Sequence, residues 1–309
     1  MNILRAFSSG VRRATSEWKM ILLLYAMNFL VALPLAMAFR SSLQSGLGQS
    51  MNSSNLMQGL DMSVMRDFLN LHRDGIGAIM QEISWVMLAY MLINTFLAGG
   101  ILTVIRDKKD TFVASTFFAG CGAYFLRFLR LFFIFGVLLV VVLSILGGVL
   151  GGIASSISDN ASSEITDYWV GAAFFAILLL PAMLIIMVAD YAKIIVVAHD
   201  EHSMLKSAWR STKLVIRYFF RTFGLELLLV LVPVLLFAIY IWVDLSIGMS
   251  SGLTILVMFV LQQLYIVSRA WTKIFFFAGE LSLYHTLQPF GSQAAAPTSG
   301  LAGAQTTAI

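Results

Sequence analysis

The sequence predicts an all-α polytopic membrane bundle: six transmembrane helices in three repeated hairpin units, with amphipathic helices in the interface. Three observations predict it. Of the 309 residues, 59% are hydrophobic and 12% charged, against about 25% charged in an ordinary soluble domain. The apolar residues gather into runs close to the roughly 20 residues that cross a bilayer core. These runs are continuously apolar, which excludes the alternating strands of an outer-membrane barrel. The single cysteine, Cys121, excludes an intrachain disulfide.

The predicted spans are Met20–Phe39, Ile83–Ile105, Leu131–Ile153, Tyr168–Ala189, Thr222–Val243 and Ser251–Ser268, within a membrane domain covering 1–288. The first four lack any charged residue, whereas the fifth holds Glu226 and the sixth holds Gln262 and Gln263. The sixth is short and is expected to continue through Trp271, with Arg269 and Lys273 extending to the headgroups. Arginines before the first run and Ala36-Met37-Ala38 after it imitate a signal peptide. Its spanning length and its place in the repeat favour retention.

Six spans put both termini on one side. Seventeen of the twenty Lys and Arg residues then share that side, and only Arg40, Arg66 and Arg73 lie opposite. The positive-inside rule makes it cytoplasmic, in a multi-pass inner-membrane protein. Trp18, Trp209 and Trp271 fall at the predicted inner interface and Trp85, Trp169 and Trp242 at the outer one, which is where indole rings prefer to sit. Cations that flank spans in this way do not form the basic face of a nucleic-acid-binding domain, so the net charge of +4 reports orientation.

Three times an aromatic residue is followed twelve positions later by a cation and then a span: Phe7 and Lys19, Phe118 and Arg130, Trp209 and Arg221. The third segment reads most clearly as a helix. Leu205, Trp209, Thr212, Ile216, Phe219 and Phe220 form an apolar stripe, while Lys206, Arg210, Lys213 and Arg217 follow the spacing of the opposite face. Ser203 is placed to cap it. Such a helix lies in the interface, where Lys206, Arg210, Lys213, Arg217 and Arg221 would contact anionic lipid headgroups. The first two segments are weaker copies, interrupted by Gly10, Gly120 and Gly122. After spans four and six, Tyr191-Ala192-Lys193-Ile194 parallels Trp271-Thr272-Lys273-Ile274, with Asp200 and Glu280 seven residues beyond each lysine.

Ser207-Ala208-Trp209-Arg210-Ser211 leading into Arg217-Tyr218-Phe219 resembles a bacterial set of six-helix proteins, typified by the membrane domain of glycerophosphodiester phosphodiesterases and its relatives of unknown function. Phe117-Phe118 before Tyr124-Phe125-Leu126-Arg127, and the Gly99-Gly100 ending of span two, add to the resemblance. It covers most of residues 1–288. No soluble phosphodiesterase domain stands among these residues, so the resemblance implies a fold and a location rather than that activity.

Between spans one and two, Met57, Leu60, Val64, Phe68 and Leu71 share one helical stripe, predicting an amphipathic outer helix that packs over the bundle or meets a partner. The Ala-, Gly-, Ser- and Thr-rich stretch at 289–309 has nothing to bury and is expected to be disordered. Gly147, Gly148, Gly151 and Gly152 are spaced for close approach of another helix, within the bundle or from a second copy.

Charge inside the spans is the sharpest chemical signal. Asp190, Lys193, Glu226, Arg269 and Lys273 occupy comparable depth and should face one another or a polar cavity, since an unpaired ion in hydrocarbon is costly. The structural reading is an ion-pair cluster at the interface, or Glu226 simply answered by Arg221; the functional one is a proton-coupled or headgroup-binding site. His199-Asp200-Glu201-His202 lacks a helical i, i+4 histidine pair, so it reads as a solvated loop rather than a metal site. The sixteen methionines form no tight repeat and read as packing. No nucleophile–base arrangement, Walker loop or dinucleotide fingerprint is present, and no cofactor is implied. The sequence therefore predicts a non-enzymatic scaffold or lipid-interacting module. The alternative is a transporter or permease subunit served by a separate ATPase.

Overall fold

A computed structural model describes residues 2–47, 73–107, 112–159, 164–247 and 251–288. Within them the chain forms eight helices and no strand: α1 (Asn2–Ser16), α2 (Trp18–Leu47), α3 (Arg73–Asp107), α4 (Ala114–Asp159), α5 (Glu164–His199), α6 (Met204–Arg217), α7 (Phe219–Ser246) and α8 (Gly252–Leu287). Six are long and apolar enough to cross a membrane, over Trp18–Met37, Ile83–Asp107, Ala114–Ser158, Ile165–His199, Phe219–Ser246 and Gly252–Leu287. The chain is a multi-pass membrane protein with a helical bundle fold. The outer helix expected at 57–71 and the tail at 289–309 lie outside the described residues.

The helices outrun the apolar stretches that reveal them. The sixth reaches Leu287 rather than ending near Trp271, and the third begins at Ala114 and ends at Asp159. Helices remain continuous through Pro34, Pro181 and Pro233. Short helices precede α2 and α7, with breaks at Glu17 and Tyr218. The segment before span three differs, because residues 114–130 run into the span as one helix. Ser203 takes the N-cap position of α6 in extended conformation, yet its side chain makes no capping hydrogen bond there.

Burial is concentrated at one end of the bundle. Core side chains come from the start of α2 (Met20, Leu24), the end of α3 (Leu97, Ile101, Leu102), the start of α4 (Phe117, Phe128, Leu131), the end of α5 (Tyr191–Val197) and the end of α8 (Ile274–Tyr284). Alternating chain direction brings these stretches to the same end. The opposite halves expose Val140, Val149, Phe175, Leu235 and Leu256, the surface a bilayer would solvate.

Each segment at the packed end rests on a long helix. Residues 114–130 pack on α3, α6 packs on α5, and α1 packs on α8, which closes the ring. Glycines set two of these contacts. A Cβ on Gly10 would stand 3.0 Å from Gly279 Cα, and one on Gly100 would stand 2.6 Å from Cys121 Sγ and 2.7 Å from the Phe117 carbonyl oxygen. The predicted glycine face behaves otherwise. Gly147, Gly148 and Gly152 have nothing within 4 Å of a Cβ position, and Gly151 has only Phe174 Cε2 at 3.9 Å. Among the described residues those four glycines make no close helix contact, and they lie in the exposed half of α4.

Candidate functional site in the membrane-spanning region

Helical spacing carries several polar groups onto faces that converge where α3, α5, α7 and α8 meet. On α3, Tyr90, Asn94 and Ala98 recur every fourth residue, with Met91 and Thr95 beside them. On α5 the stripe is Ile186, Asp190 and Lys193; α7 contributes Glu226, and α8 contributes Lys273, Phe276 and Phe277. With Phe132 of α4 these residues line an open cavity of about 470 Å³, within the roughly 300–1,000 Å³ of small-molecule sites.

The charged groups are arranged unequally. Lys193 Nζ donates to Asp190 Oδ1 at 2.7 Å, one helical turn away, and stands 5.9 Å from the centre of the Phe277 ring. Lys273 Nζ crosses to α3, donating to Asn94 Oδ1 at 2.5 Å and to the Asn94 carbonyl at 3.5 Å. The Glu226 carboxyl meets that of Glu280 on α8. Both glutamates are buried, and no donor among the described residues reaches either Glu280 oxygen. Tyr191 is buried beside this carboxyl pair, with its hydroxyl unpartnered.

The structure thus brings Asp190, Lys193, Glu226 and Lys273 together and leaves Arg269 out. Arg269 is exposed and stands immediately before Ala270, where the packed part of α8 begins. Arg221 is exposed too and makes no ion pair with Glu226. Two members escaped the sequence reading. Asn94 is an uncharged amide in an apolar run and raised no signal. Glu280 stood out only for its spacing from Lys273, although a lone carboxylate amid Phe275–Ala278 and Leu281 was the available clue.

Beyond the cavity, the His199–His202 stretch acts as a clasp. Asp200 adopts a left-handed φ of 48° just past α5, and Glu201 N–H donates to the Val196 carbonyl at 3.2 Å, a helix-ending geometry that satisfies a terminal carbonyl. Arg127 of α4 holds Asp200 at 2.5 Å and His202 at 2.9 Å. Lys206 and Arg210 of α6 both pair with Glu201, Lys206 at 2.9 Å. His199 Nε2 lies 2.8 Å from the Tyr284 hydroxyl on α8. The four side chains therefore turn to three different helices, and no group of potential metal ligands forms among the described residues. Hydrogen bonding from Arg127 holds the Asp200 carboxyl below its ordinary range, and Lys206 does the same for Glu201.

The headgroup-contact residues divide accordingly. Lys206 and Arg210 are engaged with Glu201, while Lys213, Arg217 and Arg221 are exposed. The apolar stripe does not face the protein. Met204, Ser207, Ser211, Leu214 and Val215 make that contact, whereas Leu205, Trp209 and Ile216 are 72%, 73% and 71% exposed. Fold and site together define a polytopic helical membrane protein with a charged cavity among its spans. The chain matches no family model, no curated protein and no solved structure.

Proposed function

We propose that this chain is a non-enzymatic inner-membrane protein that engages anionic lipid at its cytoplasmic face, with both termini on that side. The outward-facing Leu205, Trp209 and Ile216 carry the reading, since an exposed apolar stripe on a helix that also bears exposed Lys213 and Arg217 suits the acyl-chain and headgroup boundary of an anionic bilayer. Phe220, 87% exposed, continues the apolar stripe past the Tyr218 break, and Arg221 adds a third cation. Each cation near an anionic surface contributes about 1 kcal/mol, so a Lys213→Gln/Arg217→Gln/Arg221→Gln variant loses about 3 kcal/mol of lipid attraction, roughly 100-fold. Phosphorus analysis of lipid retained through mild detergent extraction tests it. Retention of anionic lipid equal to the parent's would refute it.

The resemblance to the phosphodiesterase membrane domains agrees with a role at the bilayer and adds no catalytic assignment. A second reading, as a transporter or permease subunit, has one observation in its favour: the charged cavity among the spans. The chain has no Walker loop, so that reading calls for a docked ATPase, and co-purification of one would favour it.

A further inference from the structure

Four charged side chains line the cavity, and only Lys193 and Asp190 answer each other. Lys273 bonds to two neutral oxygens, both of Asn94. An ammonium has three donors, so one remains for something else. Glu226 is buried beside acids, Glu280 on α8 and Asp190 on α5. Neither Lys273 nor Glu226 makes an ion pair with any described residue. One cation and one acid therefore line the same cavity without counter-ions among the described residues.

The sign of the ligand follows from this pair. An anion alone would answer Lys273 but oppose Glu226 and Asp190. A cation alone would answer Glu226 but oppose Lys273 and Lys193. A molecule bearing both charges removes both uncompensated ions together, and an ion lacking a partner is what makes charge in such a site costly. The rest of the wall, Met91, Phe132, Ile186, Phe276 and Phe277, offers apolar surface to a hydrocarbon chain. We propose that this cavity binds a zwitterionic amphiphile, its phosphate or carboxylate on Lys273 and its ammonium on Glu226. Glu280 and Tyr191 stand behind Glu226, and the Lys193–Asp190 pair flanks the site. This site is separate from the exposed surface of α6 and does not depend on lipid binding there.

Calorimetric titration of the full chain in mild detergent tests the assignment with three probes. Short-chain phosphatidylethanolamine carries both charges, short-chain phosphatidylglycerol carries the anion alone, and phosphoethanolamine carries both charges without a chain. The expected order puts phosphatidylethanolamine at least tenfold tighter than either of the others. Glu226→Gln should abolish its preference over phosphatidylglycerol, weakening phosphatidylethanolamine at least tenfold while phosphatidylglycerol, no longer opposed by that carboxylate, binds more tightly. Lys273→Gln should weaken both lipids at least tenfold, and Arg269→Gln, at an exposed position one turn away, should change neither. Equal affinity of the parent chain for the two lipids overturns the proposal without any variant, so it stays testable even if a substitution prevents folding. Phosphoethanolamine binding as tightly as the lipid would assign the site to a soluble zwitterion and overturn the amphiphile.

Discussion

Gly100→Ala adds one methyl group, and the structure fixes where it lands. The new carbon would lie 2.6 Å from Cys121 Sγ, 2.7 Å from the Phe117 carbonyl oxygen and 2.8 Å from Phe117 Cδ2. Phe117 and Cys121 are themselves fully buried, so neither side chain has space to retreat, and the carbonyl belongs to the backbone of α4. Overpacking of this kind costs about 1–3 kcal/mol, and a backbone clash belongs at the upper limit. Alanine returns about 0.5–1 kcal/mol through its helix preference over glycine. The net expectation is about 2 kcal/mol lost, roughly a 30-fold change in the folding equilibrium. Gly148→Leu is the matched control: its Cβ meets nothing within 4 Å, so the change should stay within about 0.5 kcal/mol despite the larger side chain. Reversible unfolding in mixed micelles with increasing dodecyl sulfate measures both. A parent-like Gly100→Ala, or a Gly148→Leu as damaging as it, would refute the packing described for α3 and α4.

Acid should loosen the clasp between α5 and its neighbours. The Asp200 and Glu201 carboxyls are held below their ordinary values of 3.8 and 4.5, so their contribution is complete above about pH 4.5 and fades as pH falls through the lower folded-state values. A pH series of melts from 7 to 3 should show this acid limb, flattened in an Asp200→Asn/Glu201→Gln variant; an unchanged limb would separate the clasp from stability. For topology, the exposed Ser203 and Ser246 fall on opposite sides under the positive-inside assignment. In intact cells an impermeant thiol reagent should label Ser246→Cys and spare Ser203→Cys, and the reverse pattern would invert the orientation.

The spans were legible because a bilayer demands long apolar runs, and no other common environment does. Their ends were less so. At the packed end the helices leave hydrocarbon and enter protein, and a stretch such as Thr272–Tyr284 mixes Glu280 and Tyr284 with core phenylalanines. Charges within spans marked the cavity for the same energetic reason, and four of the five indicated residues do line it. Arg269 failed because depth along a helix says nothing about where the neighbouring helices close in. The glycines show the same gap. Spacing reveals that Gly148 and Gly152 share a face, but only the positions of neighbours reveal that no described residue meets it, while Gly10 and Gly279 meet across most of the chain.

That last contact has a consequence for how the protein is made. Thr15 on α1 receives its hydrogen bond from Trp271, 256 residues away, and Phe7 packs edge-on against Phe275. At synthesis rates of about 5–20 residues per second, roughly 13–50 s separate the emergence of these partners from the ribosome. Throughout that interval the Ala6, Gly10 and Ala14 side of α1 waits without its final neighbour, and an amphipathic helix in that condition can rest on the membrane surface. Of the described helices, α1 is made earliest and yet is among the last to be docked. Nascent chains arrested before Phe275 should be cut within α1, which protease would find still undocked.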